Sequence, residues 1–173
     1  RLAHLVVSRG PALETRKFIL DSDYYLRCAE TIASGNLTDP ASAYGSPLYP
    51  FYLALSHFVS GGTALARMAQ IALDALIAGL VYRLTVELSG SRRAGLVAGG
   101  AYAAYGLAIF YATLYLDVAL VTGLSVLFIR LLIAAQERPA KTVLWAATGL
   151  SAGLILVLKT NLLVFLPVWL IAT

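Results

Sequence analysis

Four charged features have residue types and spacing suited to chemistry: Asp21-Ser22-Asp23, Arg67, Asp117 and Lys159. A carboxylate can accept a proton from an attacking hydroxyl. Arg and Lys can hold and neutralise a departing phosphate through charge-assisted hydrogen bonds. Acids set beside cations therefore suit transfer to or from an anionic lipid phosphate. Each feature also has a plainer explanation. Asp23 could cap the helix that follows it by accepting from the first free amides, whereas Asp21 lies too early for that. Asp117 could cap a tight turn between two apolar runs, although a carboxylate this near hydrocarbon is costly unless it is used or paired. Lys159 could simply extend its stem to a headgroup layer. Arg67, Gln70 and Asp74 are spaced i, i+3 and i+7 and so share one helix face. They read either as a polar seam joining helices or as a polar wall descending from a site.

The elements that must position these residues follow from composition. Of the 173 residues, 60% are hydrophobic and only 13% charged, and the mean hydropathy is +0.79. A soluble domain carries about 25% charged residues, and this much apolar surface needs lipid or neighbouring helices to cover it. The expected fold is all-α, a polytopic bundle of transmembrane helices. The net charge of +4 does not point to nucleic acid, because the basic residues sit mostly in turns between apolar runs, where they act as topology signals. A single cysteine, Cys28, rules out an internal disulfide. His4 and His57 show no metal-ligand spacing with Cys28, so no metal ligand is assigned. The sequence requires no cofactor and leaves dependence on a divalent cation open. The chain opens at Arg1 and ends inside an apolar run at Thr173, so it reads as a fragment.

Two regions are expected. Residues 1–62 are mixed in character, rich in Pro and Gly, with a short amphipathic helix over 24–34 and a short apolar piece over 50–59. They read as an extramembrane or interfacial region. Residues 63–173 carry apolar runs at about 63–88, 94–114, 115–135 and 142–158, with a truncated fifth over 161–173. A span needs about 20 residues, within a range of about 17–25, and lipid forces such segments to be helical. Within the second run, Gly95 and Gly99 form a small-xxx-small pattern suited to close helix packing. One set of turns holds Arg83, Arg92, Arg93, Arg130, Arg138 and Lys141, and the other holds Asp117 and Lys159. The basic set is expected to be cytoplasmic. That places residues 1–62 extracytoplasmic, beside Asp117 and Lys159, in a multi-pass protein of the cell (inner, cytoplasmic) membrane.

In this order the features resemble bacterial polyprenyl-phosphate-sugar glycosyltransferases of the class C (GT-C) superfamily, which includes the protein mannosyltransferases of glycosyltransferase family 39. The segment LDSDYYLRCAETIASGN places Asp21, Tyr25, Ala29, Ile32 and Gly35 on the family's first-loop pattern. Pro47 to Pro50 matches its Pro-Leu-Tyr-Pro stretch, Arg67 and Gln70 its Arg-x-x-Gln helix start, and Gly90 to Gly95 its Gly-x-Arg-Arg-Ala-Gly turn. Tyr111 to Asp117 and Gly153 to Pro167 match the later tyrosine-acid turn and the Lys-x-Asn stretch before a Pro-containing helix.

The resemblance implies an inverting transfer from a polyprenyl-phosphate-linked sugar to an acceptor hydroxyl on a protein, lipid or glycan, at the outer face of the bilayer. Asp21 or Asp23 would be the base and Asp117 the second acid. Arg67 and Lys159 would neutralise phosphate, and Tyr25, Tyr49, Gln70 and Asn161 would line the substrate site. The chain departs from the pattern at Ser22, where many relatives carry Glu, and at Ser46, where many carry Lys or His. A transporter or flippase of lipid-linked intermediates is the alternative, to which an intramembrane Asp74 would be suited. A structural membrane subunit is a third.

Overall fold

The computed structural model describes residues 21–37 and 45–165. Residues 1–20 and 38–44 of the expected outer region, and residues 166–173 of the expected fifth run, lie outside the described residues. The described residues are all-helical. Seven α-helices run in the order α1 (Ser22–Ala33), α2 (Leu48–Ser60), α3 (Ala64–Ser89), α4 (Arg92–Ala104), α5 (Gly106–Thr113), α6 (Val118–Glu137) and α7 (Thr142–Leu158), followed by a 3-10 turn over Thr160–Phe165.

Helix α1 forms because its apolar residues recur at helical spacing: Tyr25, Cys28, Ala29 and Ile32 are buried on one face. It ends at Gly35, which has a φ of 95°, a backbone state that glycine adopts without steric penalty. α1 packs chiefly on α2, and α2 touches α3 and α7. Tyr49 and Leu53 of α2 are fully buried in this layer, and burying a side chain of leucine size contributes about 1.5–3 kcal/mol. Ser56 clamps α2 to the start of α3: its hydroxyl donates to the Gly62 carbonyl and accepts from the Ala66 amide. Tyr52 donates to the Ala66 carbonyl at 2.6 Å.

Helices α3 and α6 are each long and apolar enough to cross a membrane, and α4 with α5 make a third such segment if the bent pair is one span. Where the sequence predicts four spans, α7 has 17 residues, at the lower limit of about 17 for crossing hydrocarbon. The expected run over 94–114 is not one straight helix. It breaks at Tyr105, whose φ of −70° and ψ of 105° are extended, and the two halves meet at 49°. Gly106 follows the break, and glycine is among the poorest helix formers, costing about 1 kcal/mol against alanine. Before the break, α4 lies tightly on α3. A Cβ on Gly99 would sit 3.0 Å from the Ala78 carbonyl oxygen, so only glycine permits this approach of the two backbones.

The chain path brings the start of α3, the end of α5, the start of α6 and the end of α7 to one end of the bundle, with α1 and α2 packed there. One core unites Tyr25, Ala29, Ile32, Tyr49, Leu53, Ala54, Ala66, Leu116 and Leu158. The opposite end carries the exposed Arg92, Arg93, Arg138 and Lys141. There Arg130 grips Glu87 through two hydrogen bonds of 2.7 and 3.2 Å, joining α6 to α3.

Candidate functional site

At the end capped by α1 and α2, Asp117 closes the turn between α5 and α6. Its side chain is only 3% exposed, and Lys159, just past α7, donates to its Oδ2 at 3.2 Å. The two residues are 42 positions apart and meet because α6 and α7 run antiparallel. Lys159 remains 40% exposed, so the pair has one buried and one wetted member. Asp117 stands at the N-cap position of α6 but makes no side-chain cap hydrogen bond, so the capping explanation does not hold for its side chain.

Tyr25 links this pair to α1. Its phenol is pushed well above the ordinary tyrosine value, first by burial, then by the negative charge of Asp117 and then by that of Asp21. A hydrogen-bonding contact with Ser46 pulls the other way. Both carboxylates therefore act on the same phenol. Asp21 stands exposed at the N-cap position of α1 and makes no side-chain cap bond. Asp23 does not take the capping role that the sequence offers it. It lies inside the first turn and pairs with Arg27, one turn on, at 2.7 Å. An exposed i,i+4 pair of this kind is worth about 0.3–0.5 kcal/mol. Of Asp21 and Asp23, Asp21 is the one without an ion-pair partner among the described residues.

The i, i+3, i+7 row on α3 binds helices together. Tyr49 donates to Gln70 Oε1 at 2.8 Å, and Gln70 Nε2 donates to the Leu114 carbonyl at 2.9 Å. Tyr49 and Gln70, two of the substrate residues implied by the resemblance, thus hold α2, α3 and the end of α5 in register. Burial pushes the Tyr49 phenol far up, with nearby tyrosines and Asp117 adding to the effect. Tyr102 of α4 donates to Asp74 Oδ1 at 2.6 Å. Arg67 lies over the Tyr115 ring, 4.2 Å from its centroid, a cation–π contact. Tyr115 is fixed in turn by the Thr63 hydroxyl at 3.1 Å. The Arg67 Nε is buried with no hydrogen-bond partner, and among the described residues no carboxylate pairs with this guanidinium. Asn161 is exposed in the 3-10 turn, two residues beyond Lys159.

Asp21, Tyr25, Arg67, Asp117, Lys159 and Asn161 therefore share one end of the bundle. Tyr49 and Gln70 lie beneath them as struts, and Asp23 is turned to Arg27. Sequence spacing does not reveal Tyr115 as the platform for Arg67, nor Ser46, fully buried, as a contact of Tyr25. Both contacts join segments far apart in the chain, so no local pattern announces them. Among the described residues, no group of three or more His, Cys, Asp or Glu side chains could hold a metal ion. Comparisons with protein-family models, with curated proteins and with solved structures found no match.

Proposed function

We propose that this chain is part of an integral membrane glycosyltransferase of the GT-C type. In this reading the bundle is polytopic and lies in the cell membrane, with the α1–α2 end outside the cytoplasm. The donor is a polyprenyl-phosphate-linked sugar, and the acceptor is a hydroxyl of a protein, lipid or glycan. The observation that carries the proposal is the Asp117–Lys159 pair, its carboxylate buried and its ammonium reached by water, at the same end as Asp21 and Arg67. It sets acids and cations together at the end of an apolar bundle, where a lipid phosphate would stand.

The chemistry divides among residues as follows. The acceptor oxygen attacks the anomeric carbon as the bond from that carbon to the phosphate oxygen breaks. The electron pair leaves with the polyprenyl phosphate, and the configuration inverts. The hydroxyl proton passes to Asp21, which is exposed and not engaged in capping. Asp23 is the weaker choice of base because Arg27 already holds it. Arg67, with no carboxylate partner among the described residues, is the better placed of the two cations to take the phosphate charge. Lys159 shares its charge with Asp117.

The test is donor turnover by the full chain. Asp21→Asn keeps the size and polarity of the side chain while removing the base. Transfer should fall by about 100-fold or more, in line with the loss of a general base, with unchanged thermal unfolding. Retained transfer in Asp21→Asn would remove Asp21 from the mechanism. A transporter or flippase is favoured by one observation, the buried Asp74 on α3 bonded to Tyr102 just before the 49° break between α4 and α5. Acids inside the membrane and broken helices beside a binding site are both features of transporters. Movement of the intact lipid-linked sugar across a bilayer, with no glycosidic bond formed, is the outcome that would select it.

A further inference from the structure

The residue between Leu158 and Thr160 is Lys159, and both of its neighbours are fastened to the same short strap, Gly45-Ser46, which leads into α2. The Ser46 hydroxyl donates to the Leu158 carbonyl. The Thr160 hydroxyl donates to the Gly45 carbonyl at 3.3 Å. The carbonyls of a helix's last turn have no partner within the helix, and Leu158 ends α7. Ser46 therefore satisfies a group that the helix cannot, and both residues are buried. The strap also touches α1. Gly45 has a φ of 75°, and a Cβ there would lie 3.4 Å from the Tyr25 hydroxyl. Beneath it, Tyr25 and Leu158 belong to one core.

We infer that Ser46 is a positioning residue: through the Leu158 carbonyl it fixes the end of α7 and so sets where the Lys159 ammonium stands against Asp117. Its role for catalysis rests on the transferase reading, and its role in placing Lys159 does not. The bond lies 112 residues apart in sequence, so it ties the region before α2 directly to the end of α7. Without it, the Leu158 carbonyl is orphaned in a buried site, and the end of α7 is held to the strap by the long, exposed Thr160 bond alone. Lys159 would then be free to swing away from Asp117 into solvent.

The experiment follows the reaction of an amine-acylating reagent with Lys159 in the full chain in detergent micelles, read by mass spectrometry. Lys141, exposed at the opposite end, is the internal reference. Ser46→Ala should raise the Lys159 rate relative to Lys141 by about five-fold, the scale set by one lost hydrogen bond. Thr160→Val, a near-isosteric change at an exposed position, should raise it by about two-fold. Asp117→Asn, which removes the partner itself, should raise it at least as much as Ser46→Ala. An unchanged Lys159 rate in folded Ser46→Ala overturns the inference. If Ser46→Ala does not fold, Ser46→Cys, which keeps the side chain's shape but has only a weak donor, decides, and an unchanged Lys159 rate there overturns the inference as well. In the transfer assay, Ser46→Ala should raise the KM for the lipid-phosphate donor by several-fold with kcat nearly kept. A merely structural loss would instead lower the amount of active protein at constant KM, and that result counts against the positioning role. Labelling that shifts as expected in a protein with no transferase activity would refute the transferase reading while leaving the placement of Lys159 by Ser46 standing.

Discussion

Replacing Lys159 with methionine keeps most of the side-chain volume and removes the charge that faces Asp117. The structure sets the size of the effect. Asp117 is 3% exposed at its side chain and Lys159 40%. Breaking a fully buried pair by removing one partner costs about 3–5 kcal/mol, whereas an exposed pair is worth about 0–1 kcal/mol. This pair lies between those limits, because water already reaches Lys159 while the stranded carboxylate remains buried. Lys159→Met should therefore cost about 2 kcal/mol. For a chain of this size that corresponds to a fall of about 4–8 °C in Tm. Thermal unfolding in detergent micelles at neutral pH measures it, on the wild type, Lys159→Met, Asp117→Asn and the double variant. Once Asp117 is neutralised, the loss of Lys159 should matter little, giving a coupling of at least about 1 kcal/mol. A cost for Lys159→Met within about 0.5 kcal/mol, the range of ordinary surface changes, together with additive behaviour in the double variant, would refute the coupling of Lys159 to the buried carboxylate.

Tyr102→Phe strips the hydroxyl from Asp74, which is 1% exposed. It should destabilise the protein by about 1–3 kcal/mol, the scale of taking a hydrogen-bond partner from a buried polar group, read by the same unfolding assay. Gly99→Val drives a side chain toward the Ala78 carbonyl and should cost about 1–3 kcal/mol through overpacking, seen as a lowered Tm and as new protease sensitivity at the α3–α4 contact. The raised phenols of Tyr25 and Tyr49 give stability a definite pH dependence. The folded state holds these protons more tightly than the unfolded chain, whose tyrosines ionise near about pH 10. Their contribution is full below that pH and is lost progressively above it. Alkaline titration of Tm should show this fall, and Tyr25→Phe should make it shallower.

Some of this arrangement is legible in the sequence because it rests on local period and charge. The row Arg67, Gln70, Asp74 gives a helix face directly, and the structure uses it to join α2, α3, α4 and α5. The basic turns around Arg92 and Arg138 fall at the end opposite Asp117, as the alternation of apolar runs requires. Asp117 and Lys159, each at an interruption between runs, are likewise set at the same end by counting helices. Other features depend on contacts that no local pattern encodes. The pairing of Asp23 with Arg27, four residues on, competes with a capping role toward the amides two or three residues on, and only the folded helix shows which prevails. The break at Tyr105 interrupts a continuous apolar stretch, and the sequence marks it only by Gly106, one glycine among several. Ser46 is a small polar residue before a proline, and nothing beside it indicates that it closes the end of a helix 112 positions away.

The most direct measurement reconstitutes the full chain in liposomes with a polyprenyl-phosphate sugar, labelled in the sugar, and an acceptor hydroxyl. It asks whether the bond between the anomeric carbon and the phosphate breaks. The proposed function predicts labelled sugar on the acceptor in inverted configuration, free polyprenyl phosphate in equal amount, and loss of both products in Asp21→Asn. Labelled lipid that reaches the opposite leaflet with its sugar still attached, and no glycosidic product, would contradict it.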